Sequence, residues 1–222
     1  MSTCACILAK ADLSDRKGQS EAVIRPYTPI STNKDVGHFD LLVKDYGEHG
    51  RMSTYLTEKL AIDDHVEFKH TDFNVKIQAP FSQSHVGMLV GGTGITPMIQ
   101  ALHAILGNEN SQTKATMLYG SRVASDILGE ELLEMWSKQN ERLQVVHVLS
   151  NEPENSYWTG ARGHITRELI SEHLPAPEDK DSIIFICGPP PMYEALCGPR
   201  DTKEVTGLLA QMGYNAEQVY KF

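Results

Sequence analysis

A glycine-rich segment in the middle of the chain combines residue types that bind phosphate groups. In GMLVGGTGITPMIQAL an apolar run is followed by Gly91, Gly92 and Gly94, and then by Thr96 and Pro97. Glycines permit a tight turn and leave room for a ligand beside the backbone, whereas Thr96 and Pro97 suit the N-cap and first turn of a helix. Helix N-termini bind anions through unpaired N–H groups. The segment therefore predicts a nucleotide site, although a sharp turn also needs glycine for steric reasons.

A second segment, IIFICGPPPMYEAL, ends another apolar run at a thiol. Cys187 is the last residue of that run, Gly188 permits a close approach, and three prolines stiffen the loop that follows. Open α/β sheets bind ligands at the carboxyl ends of their strands. Alone, Cys187 is better explained as a small apolar strand residue that happens to be a thiol.

Two segments nearer the N-terminus have both a binding and a structural interpretation. In GRMS, Gly50 and Arg51 precede a predicted helix whose first turn carries Ser53, so backbone amides, a hydroxyl and a guanidinium could surround a phosphate. A capped helix start with a solvated arginine explains the same residues. Likewise RPYTPIST, residues 25–32, is either a group of cofactor-binding side chains or the end of a strand.

The predicted secondary structure around these segments changes in type near residues 79–86. Before this boundary, short runs rich in aliphatic residues predict antiparallel strands, with a helix at 53–60: CACILA, EAVIR, HFDLLVK and HVEFK. After it, continuous apolar runs alternate with helical patterns at 97–106, 126–139 and 165–173: VGMLV, TMLYG, LQVVHVL and IIFIC. This alternation predicts a parallel sheet covered on both faces. We expect two domains, 1–79 and 80–222.

Composition excludes several classes of function. The net charge is −9, so no basic excess is available to neutralise nucleic acid. No apolar run reaches the roughly 20 residues that span a bilayer, and we expect no transmembrane segment. The four cysteines match no common zinc spacing, and the nine histidines form no HExxH pattern. We predict no metal site and a cytoplasmic protein, with peripheral membrane association or an organelle as alternatives.

The four segments occur in an order that is more specific than any one of them. RPYT, GRMS, GGTGITPM and CGPPPM resemble the motifs of the ferredoxin–NADP reductase superfamily, and within it those of the NADH-cytochrome b5 reductase branch. The resemblance extends from about residue 20 to the C-terminal VYKF. It implies an antiparallel flavin-binding β-barrel followed by a parallel-sheet pyridine-nucleotide-binding domain. The family's barrel begins some strands before RPYT, so we expect the barrel here to lack its first strands.

The resemblance also implies roles for individual residues. The FAD side would comprise Arg25, Pro26, Tyr27, Thr28, Gly50, Arg51, Met52 and Ser53. The nucleotide side would comprise Gly91, Gly92, Thr93, Gly94, Thr96, Pro97, Cys187, Gly188, Pro189 and Met192, with Tyr119, Gly120 and Ser121 beside the adenosine and Phe222 over the flavin edge. Thr28 and Cys187 would position the reacting rings, because the cofactors themselves carry the redox chemistry.

The activity implied is transfer of a hydride from NADH to FAD, and then of single electrons to a haem protein such as cytochrome b5. NADPH is a possible donor, since Asn151 stands where the family has an acidic residue near the adenosine ribose. We expect a monomer. Two alternatives remain: a reductase for another electron acceptor, and a non-catalytic nucleotide-binding protein whose shortened barrel cannot hold FAD.

Overall fold

The apolar runs form two separate sheets, one in each of two units of the chain, Met1–Gln78 and Ala79–Phe222. The computed structural model describes residues 2–14, 18–71, 76–77 and 79–222. The antiparallel sheet precedes the parallel sheet, as the sequence predicts.

Unit 1 contains a three-stranded antiparallel sheet in the order β2-β1-β3. Its elements are β1 (Ile7–Ser14), β2 (Ser20–Tyr27), a 3₁₀ turn (Gly47–His49), α1 (Arg51–Thr54), a π-helical turn (Tyr55–Lys59) and β3 (Glu67–His70). The helix begins two residues before the predicted position and ends in a π-helical turn. Ala9, Val23 and Met52 form a small buried cluster between the sheet and α1.

The strand predicted at HFDLLVK, residues 38–44, is absent from the structure. In this segment Asp40 accepts a hydrogen bond from the Ile30 N–H at 2.9 Å, but no ladder forms among the described residues. Phe39 instead packs edge-on against Phe68 with ring centroids 5.0 Å apart, and both rings are partly exposed. Alternating apolar residues favour a strand only where a neighbouring strand pairs with the backbone.

Unit 2 contains a six-stranded sheet in the order β7-β6-β5-β4-β8-β9, in which every pairing is parallel. The strands are β4 (His85–Gly91), β5 (Lys114–Ser121), β6 (Leu143–Leu149), β7 (Ala161–Arg162), β8 (Ser182–Cys187) and β9 (Val219–Lys221). The helices are α2 (Ile95–Leu106), α3 (Glu130–Gln139), α4 (Arg167–His173), α5 (Pro190–Leu196) and α6 (Gly207–Met212). Each of the four long apolar runs is a strand.

The central strands of unit 2 are buried along almost their whole length, as expected of a parallel sheet with helices on its faces. Leu89, Leu118 and Ile184 are completely buried in one hydrophobic cluster, which also includes residues of the last helices. Because β4 is the first strand of the unit and lies between β5 and β8, the strand order reverses beside it. Open α/β sheets bind ligands at such a reversal.

Candidate functional site

The glycine turn after β4 and the proline loop after β8 lie side by side at this reversal. Val90 is opposite Cys187 in the parallel register, so the two strands end together. Two predicted segments that are far apart in the sequence are therefore neighbours at the carboxyl edge of the sheet.

Three of the glycines in these segments are needed for packing between the two loops. A β-carbon on Gly94 would overlap the carbonyl oxygen of Cys187, and one on Gly188 would lie 2.6 Å from the Met192 sulfur. On Gly91 it would lie 2.7 Å from the same sulfur and 2.8 Å from Pro189 Cδ. The Met192 side chain thus fills the space that these glycines leave.

Gly92 differs from the other glycines of the turn. Its φ is +52°, in the left-handed region that favours glycine, and a β-carbon there would contact nothing within 4 Å. Of Gly91, Gly92 and Gly94, it is Gly92 that has open space beside its α-carbon, so it is the point at which a ligand could approach the backbone most closely.

The helix that follows begins earlier than the sequence predicts. A 3₁₀ turn, Gly92–Gly94, leads directly into α2 at Ile95, and Gly94 is the N-cap. The predicted N-cap, Thr96, lies within the first turn, where its side chain is buried and donates to the Thr93 carbonyl oxygen at 3.2 Å. Pro97 is also in the first turn, as expected, and is buried, whereas Thr93 is exposed.

Cys187 is partly exposed at the end of β8, and Pro189 is the N-cap of α5. Beneath this loop lies Tyr193, which the sequence analysis missed. Its hydroxyl lies 3.1 Å from the Ile186 carbonyl oxygen and 2.7 Å from that of Phe222. Phe222 is almost fully buried and packs edge-on against Phe185 and Tyr220, with centroids 5.4 and 4.9 Å away. Its predicted place over the flavin stays a prediction.

The residues assigned to the adenosine side end β5. Tyr119 is completely buried, and its hydroxyl donates to the Gly92 carbonyl oxygen at 3.0 Å. Gly120 is partly exposed and Ser121 is buried. The side chain of Tyr119 therefore contacts the glycine turn and exposes no surface of its own.

The loop after β6 lies beside the end of β5. The Asn151 N–H donates to the Arg122 carbonyl oxygen at 2.7 Å, and the Asn151 side chain is exposed. The next residue, Glu152, accepts a hydrogen bond from the Ala124 N–H at 2.8 Å. The Glu152 carboxylate is thus bonded to the protein backbone.

In unit 1, the RPYT residues lie at the end of β2. Arg25 is exposed, and its guanidinium donates to the Ile24 carbonyl oxygen at 2.8 Å. Pro26 is exposed, and Tyr27 is half-buried, which raises the pKa of its phenol. Thr28, the residue after the strand, is partly exposed. A cation, a phenol and a hydroxyl are therefore accessible at one strand end.

The GRMS segment forms the turn into α1. A β-carbon on Gly50 would overlap the hydroxyl of Ser53, which donates to the Gly50 carbonyl oxygen at 3.1 Å. Met52 is 2% exposed in the core of the unit, so its side chain faces away from solvent. Any contact between Met52 and a ligand would have to come from its backbone.

Arg51 has two partners within unit 1. Its guanidinium forms an ion pair with Glu21 and donates to the Leu13 carbonyl oxygen at 2.6 Å. Its Nε is buried and has no acceptor among the described residues. This donor set fits an anion such as the pyrophosphate of FAD, although Glu21 competes for the same guanidinium. No motif in the sequence indicates Glu21 as a partner of Arg51.

Groups of acidic, histidine and cysteine side chains that could hold a metal ion do not occur in the part of the chain that the structure describes. Within the same residues, none of the helices has the length and apolar character needed to cross a membrane.

Two family models match the chain. The oxidoreductase NAD-binding domain matches residues 88–198, which is half of the chain, and the oxidoreductase FAD-binding domain matches residues 10–76. The NAD-binding match spans the glycine turn and the proline loop, and the FAD-binding match spans RPYT and GRMS.

Individual relatives and solved structures agree with these matches. The chain is 41% identical to NADH-cytochrome b5 reductase 2 of Aspergillus clavatus over 93% of its own length and 64% of that protein's length. It is 31% identical to the cytochrome b5 reductase domain of Ulva prolifera nitrate reductase, with a TM-score of 0.76 over 87% of this chain and 77% of that one. For the CS-b5R domains of human Ncb5or in the NAD⁺ form the identity is 26% and the TM-score 0.77, over 98% of this chain and 59% of that one.

The chain spans somewhat less than two thirds of the length of the curated relatives it matches. Both family models agree with the order of the two sheets and with the four motifs at strand and helix ends. The chain belongs to the oxidoreductase NAD-binding domain family, in the NADH-cytochrome b5 reductase branch of the ferredoxin–NADP reductase superfamily.

Proposed function

We propose that this chain is an FAD-dependent reductase that takes a hydride from NADH and passes single electrons to a haem protein such as cytochrome b5. The observation that carries the proposal is the pairing of the GGTG turn with the CGPP loop at the point where the parallel sheet reverses. Unit 1 supports it with accessible polar groups at RPYT and with an arginine whose buried Nε has no acceptor among the described residues.

The protein's part in this reaction is binding and orientation. Arg25 and Arg51 supply positive charge for the phosphates of FAD, and Ser53 with the backbone of Gly50 and Met52 completes that site. Tyr27 and Thr28 position the flavin ring. When bound, the nicotinamide would supply a hydride, and the flavin would supply a two-electron acceptor able to release electrons singly to the haem protein.

On the nucleotide side, too, separate groups of residues bind the phosphates and position the ring. The open backbone at Gly92, with Thr93 and the first turn of α2, receives the pyrophosphate, because unpaired N–H groups and the helix field favour an anion there. Cys187, Gly188, Pro189 and Met192 shape the nicotinamide pocket. Cys187 positions the ring in this proposal, since holding the two reactants in a near-attack geometry is the main contribution expected of the protein.

A direct test is anaerobic reduction of the purified protein. The protein should be yellow, or become yellow after reconstitution with FAD, and its flavin absorbance near 450 nm should bleach when NADH is added. A protein that takes up no FAD under any condition would contradict the proposal and favour the non-catalytic nucleotide-binding alternative.

The choice of nucleotide gives a second test. Asn151 is exposed and neutral, so this position places no carboxylate beside a ribose phosphate. We therefore expect NADH to be preferred and NADPH to be used at an appreciable rate. A ratio of catalytic efficiencies in which NADPH is at background would contradict this expectation.

The electron acceptor is tested by rapid mixing of the reduced protein with cytochrome b5, a ferredoxin and a quinone. Electron transfer to cytochrome b5 should be fastest. Preference for the ferredoxin or the quinone would favour the other reductase alternative. The monomeric state and the cytoplasmic location also stay predictions.

A further inference from the structure

The hydroxyl of Tyr119 joins three segments at the carboxyl edge of the parallel sheet. Tyr119 belongs to β5 and is completely buried. Its oxygen donates to the Gly92 carbonyl oxygen at 3.0 Å, in the turn after β4, and lies 3.4 Å from the Leu128 carbonyl oxygen, in the loop before α3. Burial raises the pKa of this phenol well above its usual range, so the group keeps its proton and acts as a donor.

The bond acts on the end of the turn that packing leaves open. At its other end the turn is fixed by steric fit, because Gly94 lies against the Cys187 carbonyl group. Gly92 has no such neighbour and adopts a left-handed conformation. Its carbonyl oxygen accepts from Tyr119 on the buried side, and from the Ile95 N–H at the start of α2.

The direction of this carbonyl group determines the direction of the next N–H. A trans peptide unit is planar, and its C=O and N–H point in opposite directions. Because Tyr119 holds the Gly92 oxygen toward the core, the Thr93 N–H of the same peptide points away from the core. Thr93 itself is exposed, immediately before the N-terminus of α2.

We propose that Tyr119 is a positioning residue for the pyridine dinucleotide, and that it acts through the Gly92–Thr93 peptide by aiming the Thr93 N–H at the pyrophosphate. The inference rests on the proposed function of the site. It adds a residue that touches no ligand: the hydroxyl of a buried tyrosine, together with the Ile95 N–H, holds the peptide whose own N–H would bind the pyrophosphate.

Tyr119→Phe tests the inference, because it keeps the ring in the core and removes the bond to Gly92. Tyr214→Phe is a matched control in the same unit. Tyr214 is also buried, and its hydroxyl donates to the Pro175 carbonyl oxygen at 2.6 Å. Pro175 packs beside Gly87 in the first half of β4, away from the glycine turn.

NAD⁺ affinity is measured by calorimetry on the FAD-loaded protein, and KM and kcat for NADH are measured with ferricyanide as acceptor. Tyr119→Phe should raise both the Kd of NAD⁺ and the KM about tenfold, as expected for loss of one well-placed hydrogen bond, with kcat changed less than twofold. Tyr214→Phe should lower the melting temperature about as much as Tyr119→Phe does, but it should leave the Kd of NAD⁺ and the KM for NADH unchanged.

A double-mutant cycle adds a second, independent measurement. Thr93→Pro removes the N–H that the proposal aims at the pyrophosphate, so in that background Tyr119→Phe should weaken NAD⁺ binding by less than twofold. A full tenfold loss in that background would overturn the inference.

Three further outcomes would also overturn it. Wild-type NAD⁺ affinity in Tyr119→Phe would show that the hydroxyl serves only packing. Equal losses in Tyr119→Phe and Tyr214→Phe would show a general effect of lower stability. A wild-type protein that binds neither cofactor would overturn both the inference and the proposed function. If the wild-type protein binds FAD and bleaches with NADH, either of the first two outcomes leaves the proposed function standing.

Discussion

Individual side chains in the two arginine motifs already have protein partners. Arg51 is paired with Glu21 and with the Leu13 carbonyl oxygen, although its type and position predict a phosphate ligand. Nothing in the sequence around GRMS indicates the ion pair, because Glu21 lies on β2, 30 residues before Arg51. The carboxylate and a bound phosphate would compete for one guanidinium.

This competition predicts that Glu21→Gln strengthens FAD binding by about threefold, since a partly exposed ion pair contributes at most about 1 kcal/mol. The Kd can be measured by titrating apoprotein with FAD and following flavin fluorescence. Glu67→Gln is the control, because Glu67 pairs with Lys10 in the same unit and carries the same charge. Weaker FAD binding in Glu21→Gln would mean that Glu21 orients Arg51 instead of competing for it.

The glycines after β4 show how much of the local structure residue types alone can predict. The spacing of Gly91, Gly92 and Gly94 predicts a turn, and the structure has one. Which of them is open to a ligand depends on Cys187 and Met192, which come from another strand and helix. A local pattern therefore predicts the turn but not the contacts that distinguish its members.

A pair of substitutions should separate these roles. Gly94→Ala places a methyl group against the Cys187 carbonyl and should lower the free energy of unfolding by about 3 kcal/mol or more. Gly92→Ala has space and incurs only the left-handed backbone strain of about 1 kcal/mol. Urea unfolding followed by tryptophan fluorescence measures both, since Trp136 and Trp158 lie in unit 2. Equal losses in the two variants would show that the contact with Cys187 can relax.

As a sign of a β-strand, a continuous apolar run is more reliable in this chain than an alternating one. All four such runs are strands of the parallel sheet, and in β4, β5 and β8 burial on both faces leaves no alternation to interpret. HFDLLVK alternates well but forms no strand, because pairing depends on neighbours that a local pattern does not contain. The start of α2 is also earlier than Thr96 because the 3₁₀ turn leads straight into the helix.

In unit 2, two half-buried histidines make stability depend on pH. Burial is the largest cause that lowers the pKa of His85 and of His147. Asp179 and Glu134 act in the opposite direction, and Lys114 adds to the lowering at His85. Folding therefore favours the neutral form of both imidazoles relative to the unfolded chain, in which the ordinary pKa of histidine is 6.5.

The direction of the pH dependence follows from the linkage between protonation and folding. Their contribution to stability is fully present above pH 6.5 and is lost as the pH falls below 6.5 through the lowered folded pKa, because the unfolded state then binds more protons. We expect the melting temperature to fall between pH 7.5 and pH 5, and this slope to flatten in the double variant His85→Gln/His147→Gln. Exposed His38→Gln is the control. An unchanged slope in the double variant would assign the pH dependence to other groups.

The pairing of β4 with β8 also has a consequence for folding. His85 pairs with Ser182, so two strands that are adjacent in the sheet are separated by three intervening strands and three helices along the chain. Closing so long a loop carries an entropic cost that local helices and neighbouring strands do not carry. The glycine turn can form once β4 and α2 have formed. The Cys187 carbonyl group against which it packs is in place only after β8 has joined the sheet. The nucleotide crevice is thus expected to be among the last parts of unit 2 to form.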